Sequence, residues 1–548
     1  MVLKERIFSD VLVIGGGLAG LTSALEVCSN NSNVTIVSKG RVGRSGNSIV
    51  SATALSVLVP NSEDSVELFY KDIIESGQGI NDKQLVEHFV INSTKSIFKL
   101  KQYGLEFLKD TTGLIKRRVP GHSVPRTISL DYSKSQNKKC KGLLLTIPLL
   151  DMLKRGGANI IDNTSIIKLL VSRKNRNVYG AIGINTKANK IIIFHANVII
   201  LASGGGGKLY IKSDNTNDIT SDSYSLAYDA GALLKDMEYV QFYPTMLYKP
   251  IRTIIPTSIF SDGAILRNSL GEDFMQKYDK SGNMATRDIM SRAIFTEIIK
   301  GRGIDESVFL DCKNIPKNIF VDKYIEINEI LSREGIDYKK NLLPISPVFH
   351  FYIGGIVINS KSETSLKGLL ACGEAVGGLH GANRLGGNAL SEAIVFGITA
   401  GKRAVELLKE KNNVIYKFNK NEINEVEGFR KGKLFRKEWK DEICKTMWNC
   451  ASILKNRDSL EKARQDITSI LNCLSDDVEI KNLKELKLYY ELKSILFTSQ
   501  LIVEGAFLRK ESRGAHYRTD FAKLNENFKG NYFFEKLNDK LNIYFKSL

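Results

Sequence analysis

The apolar positions of this chain fall into two rhythms. Val11 to Ile14 is a short unbroken apolar run, the pattern of a parallel strand buried on both faces. It enters Gly15-x-Gly17-x-x-Gly20 and continues into LTSALEV, where apolar residues recur at helical spacing. A second run, Val34 to Val37, follows at βαβ distance. Residues 64–108 read as helical, with DKQLVEHFVINSTKSIFKLKQYG carrying the helical period. At 196–207, ANVIILASGGGG drives an apolar run into a glycine cluster. At 368–400 a short strand, a glycine-rich loop and a long helix recur.

The first glycine motif carries chemistry through its spacing. Gly15 permits a tight turn, Gly17 lets the backbone approach a pyrophosphate, and Gly20 lets helix and strand pack closely. The helix N-terminus then faces the phosphates. A strand before and a helix after are the context this motif requires, so dinucleotide binding is expected over an incidental glycine turn. The second strand ends in Ser38-Lys39, where an acidic residue often meets a ribose. Three glycine-rich strand ends, far apart in sequence, suggest one cofactor gripped from three sides.

The remaining chain divides by composition. The expected organisation is a cofactor domain over 1–235 and 346–412, interrupted by a less regular capping domain over 236–345. A helical domain is expected over 420–515, with Leu460, Ala463, Ile467, Ile470, Leu471 and Leu474 on one helix face. The tail, 516–548, is expected to wrap the surface. The fold class is α/β, Rossmann-like, with an inserted α+β cap and a C-terminal helical domain.

Composition narrows the function classes. The 548 residues are 43% hydrophobic and 25% charged, an ordinary globular balance. No stretch approaches the ~20 apolar residues of a membrane span. The first strand begins almost at the N-terminus, leaving no room for a signal peptide, and a cytoplasmic location is expected. The net charge of +18 admits nucleic acid, but the lysines are scattered and no RNA-binding signature accompanies them. A solvated basic surface is the plain reading, and a patch for an acidic partner the other. The seven cysteines form no CxxC pair, so a disulfide framework or metal site is not expected. Any iron–sulfur cluster would need a different polypeptide.

Further motifs spell a family. GHSVPRT (121–127), LASGGGG (201–207), DAGALLKDMEYVQFYPT (229–245) and ATRDIMSRAI (285–294) stand in order. HFYIGGI (350–356), HGANRLGGNAL (380–390) and RKESRGAHYRTDF (509–521) follow. With the motif at 9–20, they cover most of the chain. It resembles the flavoprotein subunits of succinate dehydrogenase and fumarate reductase, with the related L-aspartate oxidases. The resemblance implies FAD and a small dicarboxylate. It implies hydride exchange at flavin N5, with Arg287 exchanging a proton and His350 and Arg384 holding the carboxylates. Residue types agree, since a guanidinium offers a planar fork to a carboxylate. Glu374 resembles the acid that contacts the FAD ribityl chain. Ser45, Gly204 and Asn388 complete the cofactor set with Gly15, Gly17, Gly20, Ser38 and Lys39.

Departures from the pattern matter as much. Many members attach FAD through a histidine, but Gly46 stands there, so the FAD is expected to be non-covalent. Tyr243 replaces a substrate-facing histidine and is read as a neutral third contact. Thr257 and Phe260 fall where a glutamate and an arginine would relay protons to Arg287. The acid that aspartate oxidases carry before the GHS segment is replaced by Val119 and Pro120. Three readings follow: a fumarate/succinate flavoprotein working with an iron–sulfur protein, an L-aspartate oxidase, and a flavin-binding assembly subunit without chemistry. No nucleic acid partner is expected, and any membrane seat would be peripheral, through partner subunits.

Overall fold

The computed structural model describes residues 3–59, 63–111, 113–131, 141–172, 174–410, 435–474 and 478–548. The boundary expected between 412 and 420 lies outside them, as does Cys140.

The apolar runs become the central sheet. Its strands lie in the order 159–161, 34–37, 3–14, 190–201, 178–185, 164–171, with 369–371 also pairing 190–201. Strands 34–37, 3–14, 190–201, 369–371 and 159–161 run parallel, and the other two antiparallel. Register places Val37, Ile14, Leu201 and Ala371 side by side, so the strands end together. The three glycine-rich segments therefore leave the sheet along one edge. In open α/β sheets that edge is where ligands bind.

Glycine is required there by contact. A Cβ on Gly15 would lie 2.1 Å from the Ala202 carbonyl oxygen, and its φ is +121°. A Cβ on Gly20 would lie 1.9 Å from the Gly15 carbonyl oxygen, so the close helix–strand packing is literal. The stretch 64–108 forms two helices, Val66–Ser76 and Lys83–Lys99. They are separated because Gly77 and Gly79 break the pattern and Asp82 caps the second, accepting from Gln84 and Leu85 N–H.

A second apolar core, including Phe274, Leu310, Phe320 and Ile345, sits beneath a five-stranded antiparallel sheet. Its strands Val240–Leu247 and Leu343–Tyr352 pair directly and return the chain to the cofactor edge. Helices Trp439–Cys450, Arg457–Leu474 and Leu483–Leu508 follow. Leu460, Ala463, Ile467, Ile470 and Leu474 are buried on one face, and Leu471 is half-buried at its margin. The tail does not wrap the surface as irregular chain. Residues 530–537 and 540–547 form a hairpin whose first strand joins Leu234–Lys235 in a second sheet. Its aromatic residues Tyr532, Phe533, Phe534, Tyr544 and Phe545, with Asn538-Asp539 at positive φ in the turn, are the hairpin signal that the Asn/Lys-rich composition hid.

A buried ion network ties these parts together. Arg509 is fully buried and donates to Glu238 (2.7 Å), Glu511 (3.1 Å) and the Phe528 and Gly530 carbonyls. Removing one partner strands a buried charge. Glu238→Ala should therefore destabilise the protein by about 3–5 kcal/mol. Equilibrium urea unfolding followed by circular dichroism checks this, and a change under about 1 kcal/mol would show that the network carries little.

Candidate active site

Four segments converge beside the common strand edge. Arg287 is the first residue of helix Arg287–Glu297, whose N-terminal dipole adds positive potential. His350 and Tyr243 come from the paired strands 343–352 and 240–247, with their rings 4.9 Å apart. Arg384 comes from the glycine-rich loop that precedes helix Asn388–Glu410. The Arg287 guanidinium lies 4.6 Å from the Tyr243 ring centre, and Arg384 lies 4.4 Å from that of Phe351. A Cβ on Gly386 would sit 3.1 Å from Arg287 Nη2, so the glycine loop lies directly against Arg287. Arg287, His350 and Arg384 are thus brought together, as expected.

The electrostatics mark an anion site. Arg384 is buried, and its Nε and Nη2 have no protein partner. Burial, and then the neighbouring Arg287, push its guanidinium down to about 9. Two guanidinium nitrogens left unpaired in a dry site call for a carboxylate or similar anion. The loop is held in place for this purpose: Gln241 Nε2 donates to the Arg384 carbonyl (2.8 Å) and to Asn383 Oδ1 (3.1 Å). His350 Nδ1 lies 2.6 Å from Asp214 Oδ2. Burial lowers its pKa, Asp214 opposes that, and Arg384 and Arg287 add to the lowering.

The other motif histidines are structural. His122 Nε2 bonds the Gly386 carbonyl (2.9 Å) and is pushed down to about 4, chiefly by burial. His380 Nε2 meets Glu392 (3.0 Å), and His516 packs edge-on against Tyr239.

Two of the expected site residues spend their polar groups on protein partners. The Tyr243 hydroxyl donates to the Ile255 carbonyl (3.2 Å) and accepts from Thr257 N–H (3.0 Å). It therefore fastens the 255–257 loop and offers the site only its ring face. Lys39 turns its ammonium into a cluster with Thr220, Asp222 and Glu491. The charge of Glu491, distant in sequence, gave no warning of this.

The remaining cofactor candidates line the strand edge. Gly15, Gly17 and Gly20 form the strand-to-helix turn, with Gly17 as N-cap. Ser38 Oγ lies 3.4 Å from Ser45 Oγ. Gly204 adopts φ +81° and its carbonyl accepts from Ser223. Glu374 accepts from Tyr352 N–H (3.1 Å) and Asn47 Nδ2 (3.2 Å), and burial pushes its carboxyl up to about 7. Asn388 is fully buried with both amide atoms unpartnered, although polar groups so placed ordinarily have a partner. Sequence reasoning missed Asp214, Gln241, Asn47 and Ser48. Ser48 Oγ accepts from Leu18 N–H (2.9 Å) at the start of the first helix. Asp214, Asn47 and Ser48 lie in polar stretches without period, and Gln241 sits on the buried strand of the 229–245 motif, where sequence does not show which way its amide turns.

Comparison with known proteins bears on this geometry. The FAD binding domain family matches residues 10–390, and the fumarate reductase flavoprotein C-terminal family matches residues 440–545. The chain is 34% identical over 536 residues to a fumarate reductase (CoM/CoB) subunit of Methanothermobacter marburgensis, covering 95% of this chain and 96% of that one. It is 36% identical over 527 residues to an uncharacterized FAD-dependent oxidoreductase of Methanocaldococcus jannaschii, covering 95% of each. It is 30% identical over 534 residues to L-aspartate oxidase of Acinetobacter baylyi, covering 95% of each. Its fold superimposes on E. coli quinol fumarate reductase FrdA with a TM-score of 0.88, over 99% of this chain and 97% of that one, at 24% identity. The cofactor is FAD. The residues fit it: the glycine turn, the orphaned Asn388 amide and the inward Glu374 carboxyl all lie along the one edge.

Tyr243→Phe separates the loop-fastening role from substrate contact. Losing the partner of a buried N–H should destabilise the protein by about 1–3 kcal/mol. The KM for a dicarboxylate should stay near wild type, because the hydroxyl does not reach it. A tenfold or larger rise in KM, on the order of one lost hydrogen bond to a charge, would put the hydroxyl on the substrate.

Proposed function

Because the chain belongs to the family of succinate dehydrogenase and fumarate reductase flavoproteins and L-aspartate oxidases, we propose that it reduces fumarate, or a close C4 dicarboxylate, to the saturated diacid. The observation that carries this is the buried, half-unpaired Arg384 guanidinium facing the same space as Arg287 and His350.

When bound, FAD supplies a hydride from N5 to one alkene carbon. Arg384 receives one substrate carboxylate on its free Nε and Nη2 fork. His350 Nε2 serves the substrate, since Nδ1 is taken by Asp214. Arg287, at its helix N-terminus, adds a proton to the neighbouring carbon. The carbon–carbon π bond is replaced by two C–H bonds, one from the hydride and one from this proton. The cations stabilise charge that spreads into the carboxylate as the hydride arrives. The Phe351 and Tyr243 faces back them with apolar surface, which strengthens the field by excluding water.

Val119 speaks against aspartate as substrate. Its side chain lies against Gly386, beside Arg287, and offers an isopropyl group where a substrate ammonium would need a carboxylate. Retention of Arg287, His350 and Arg384 speaks against a scaffold without chemistry. Electrons are proposed to arrive from an iron–sulfur partner. Among the described residues no group of His, Cys, Asp or Glu could hold a metal ion, and the 34% identical relative is itself named as one subunit of a larger enzyme. No helix among the described residues is long and apolar enough to cross a membrane.

Arg287→Lys keeps the charge but loses the planar fork. It should lower kcat with fumarate at least ~100-fold, the scale of a positioned general acid, with normal FAD content. Stopped-flow reoxidation of the reduced flavin by fumarate measures this. Oxygen-coupled turnover of aspartate without fumarate reduction would overturn the reading in favour of the oxidase.

FAD is proposed to be held without a covalent bond, since Gly46, at φ +78° before helix Asn47–Val50, presents no side chain. Acid precipitation should release all flavin absorbance into the supernatant. Flavin remaining with the washed pellet would contradict this.

A further inference from the structure

The proposed reaction consumes one proton at Arg287 in every cycle, and that proton has to be replaced. On the loop facing Tyr243, Thr257 to Phe260 carry no titratable side chain and Phe260 is buried, while Asp262 at its end is paired with Lys323 and Tyr324. The side of His350 is different. Asp214 lies 2.6 Å from its Nδ1, is itself nearly buried, and forms part of the wall of a cavity of about 180 Å³. Lys212, Ser213, Tyr248 and Arg252 line that cavity with it. Its volume holds several waters, each occupying about 30 Å³ in the liquid, and its walls offer polar partners for them. On the other side of His350 stands the Tyr243 ring, with Arg287 against the same ring.

We propose that Asp214 and His350 form the proton inlet of this site, carrying protons from cavity water to the reacting side that Arg287 serves. The inference rests on the fumarate-reducing reading above. Asp214 takes a proton from water and passes it to His350 Nδ1, and Nε2 releases one into the site. Arg287 regains the proton it gave to carbon, so each cycle moves one proton inward and restores Asp214; the imidazole is left with its hydrogen on Nδ1, and a half-turn of the ring about Cβ–Cγ restores the starting tautomer. A carrier must exchange its proton rather than hold it. Burial and the charges of Arg384 and Arg287 lower the histidine's affinity for the proton, while Asp214 raises it. Other charges facing the pair are Lys208, which feels Asp214, and Glu374, which feels both Asp214 and Arg384.

Two variants test the inlet in the full FAD-containing protein. Asp214→Asn keeps the shape but cannot shuttle a proton, and Asp214→Ala opens room for a small acid. Both should retain FAD and bind malonate as wild type does, while kcat with fumarate falls at least about tenfold. Added formate should restore turnover to Asp214→Ala several-fold and leave wild type unchanged. Unchanged kcat, a rise in KM alone, or failure of formate would each overturn the proposal. Nitrogen-15 NMR of the histidine rings gives a readout independent of turnover. His350 should titrate at least about one pH unit lower in Asp214→Asn than in wild type, because the opposing charge is gone. An unchanged titration would overturn the inlet even if fumarate proved not to be the substrate. Absence of fumarate turnover together with a shifted titration would instead sink the substrate assignment.

Discussion

Burying a guanidinium is costly, and this molecule buries one, Arg384, beside a second arginine. Arg384 has two nitrogens unpaired in a dry pocket beside a second arginine. Left to itself, its loop would turn outward to water. Several contacts prevent that. Gln241 fastens its carbonyl, Ser76 Oγ donates to the Asn383 carbonyl, and Ala515 N–H donates to the Ala382 carbonyl. Gly514 approaches so closely that a Cβ there would lie 2.4 Å from the Ala382 oxygen. The C-terminal motif thus presses the substrate loop from behind. Arg509, Glu511 and Arg513 in turn hold that motif, with Arg513 bidentate on Glu511. The segments that hold the Arg384 loop are thus hundreds of residues apart in sequence.

This explains why the segments joined late in the chain are not additions to a finished cofactor domain. Glu491, on helix Leu483–Leu508, reaches Lys39 at the end of the second strand, and Asp222 completes the cluster. Burial works against the lysine charge, yet the two carboxylates hold its pKa above the ordinary value. The tail hairpin extends the sheet that carries Gly355–Val357, just after His350.

The sequence made the strand edge and the trio Arg287, His350 and Arg384 legible because each is marked by a strong local signal. Apolar runs ending in glycine have few alternative explanations, and Arg287, His350 and Arg384 sit inside motifs. What stayed illegible was direction. Tyr243 and Lys39 lie at site positions, but their polar atoms point to Ile255, Thr257 and Glu491, partners that only the fold brings near. The hairpin was hidden for a related reason. Its strands are half-exposed, so their alternation is diluted by lysine and asparagine.

The loss of titratable groups from one side of the site and their presence on the other are coupled by Tyr243. Its hydroxyl bridges Ile255 and Thr257, and Phe260 is buried in the same loop. Its ring, being neutral, lets Arg287 and His350 lie on the same aromatic body without a third cation between them. A histidine in its place would add repulsion to a pocket already holding two guanidiniums, and would need its own counter-charge. Asp214 supplies a counter-charge on the far side of His350 instead. The position of the acid therefore follows from the position of the neutral ring: with the cap side closed by apolar packing, the strand bearing His350 is the one wall of the anion site where a carboxylate can meet both the imidazole and a water-sized cavity.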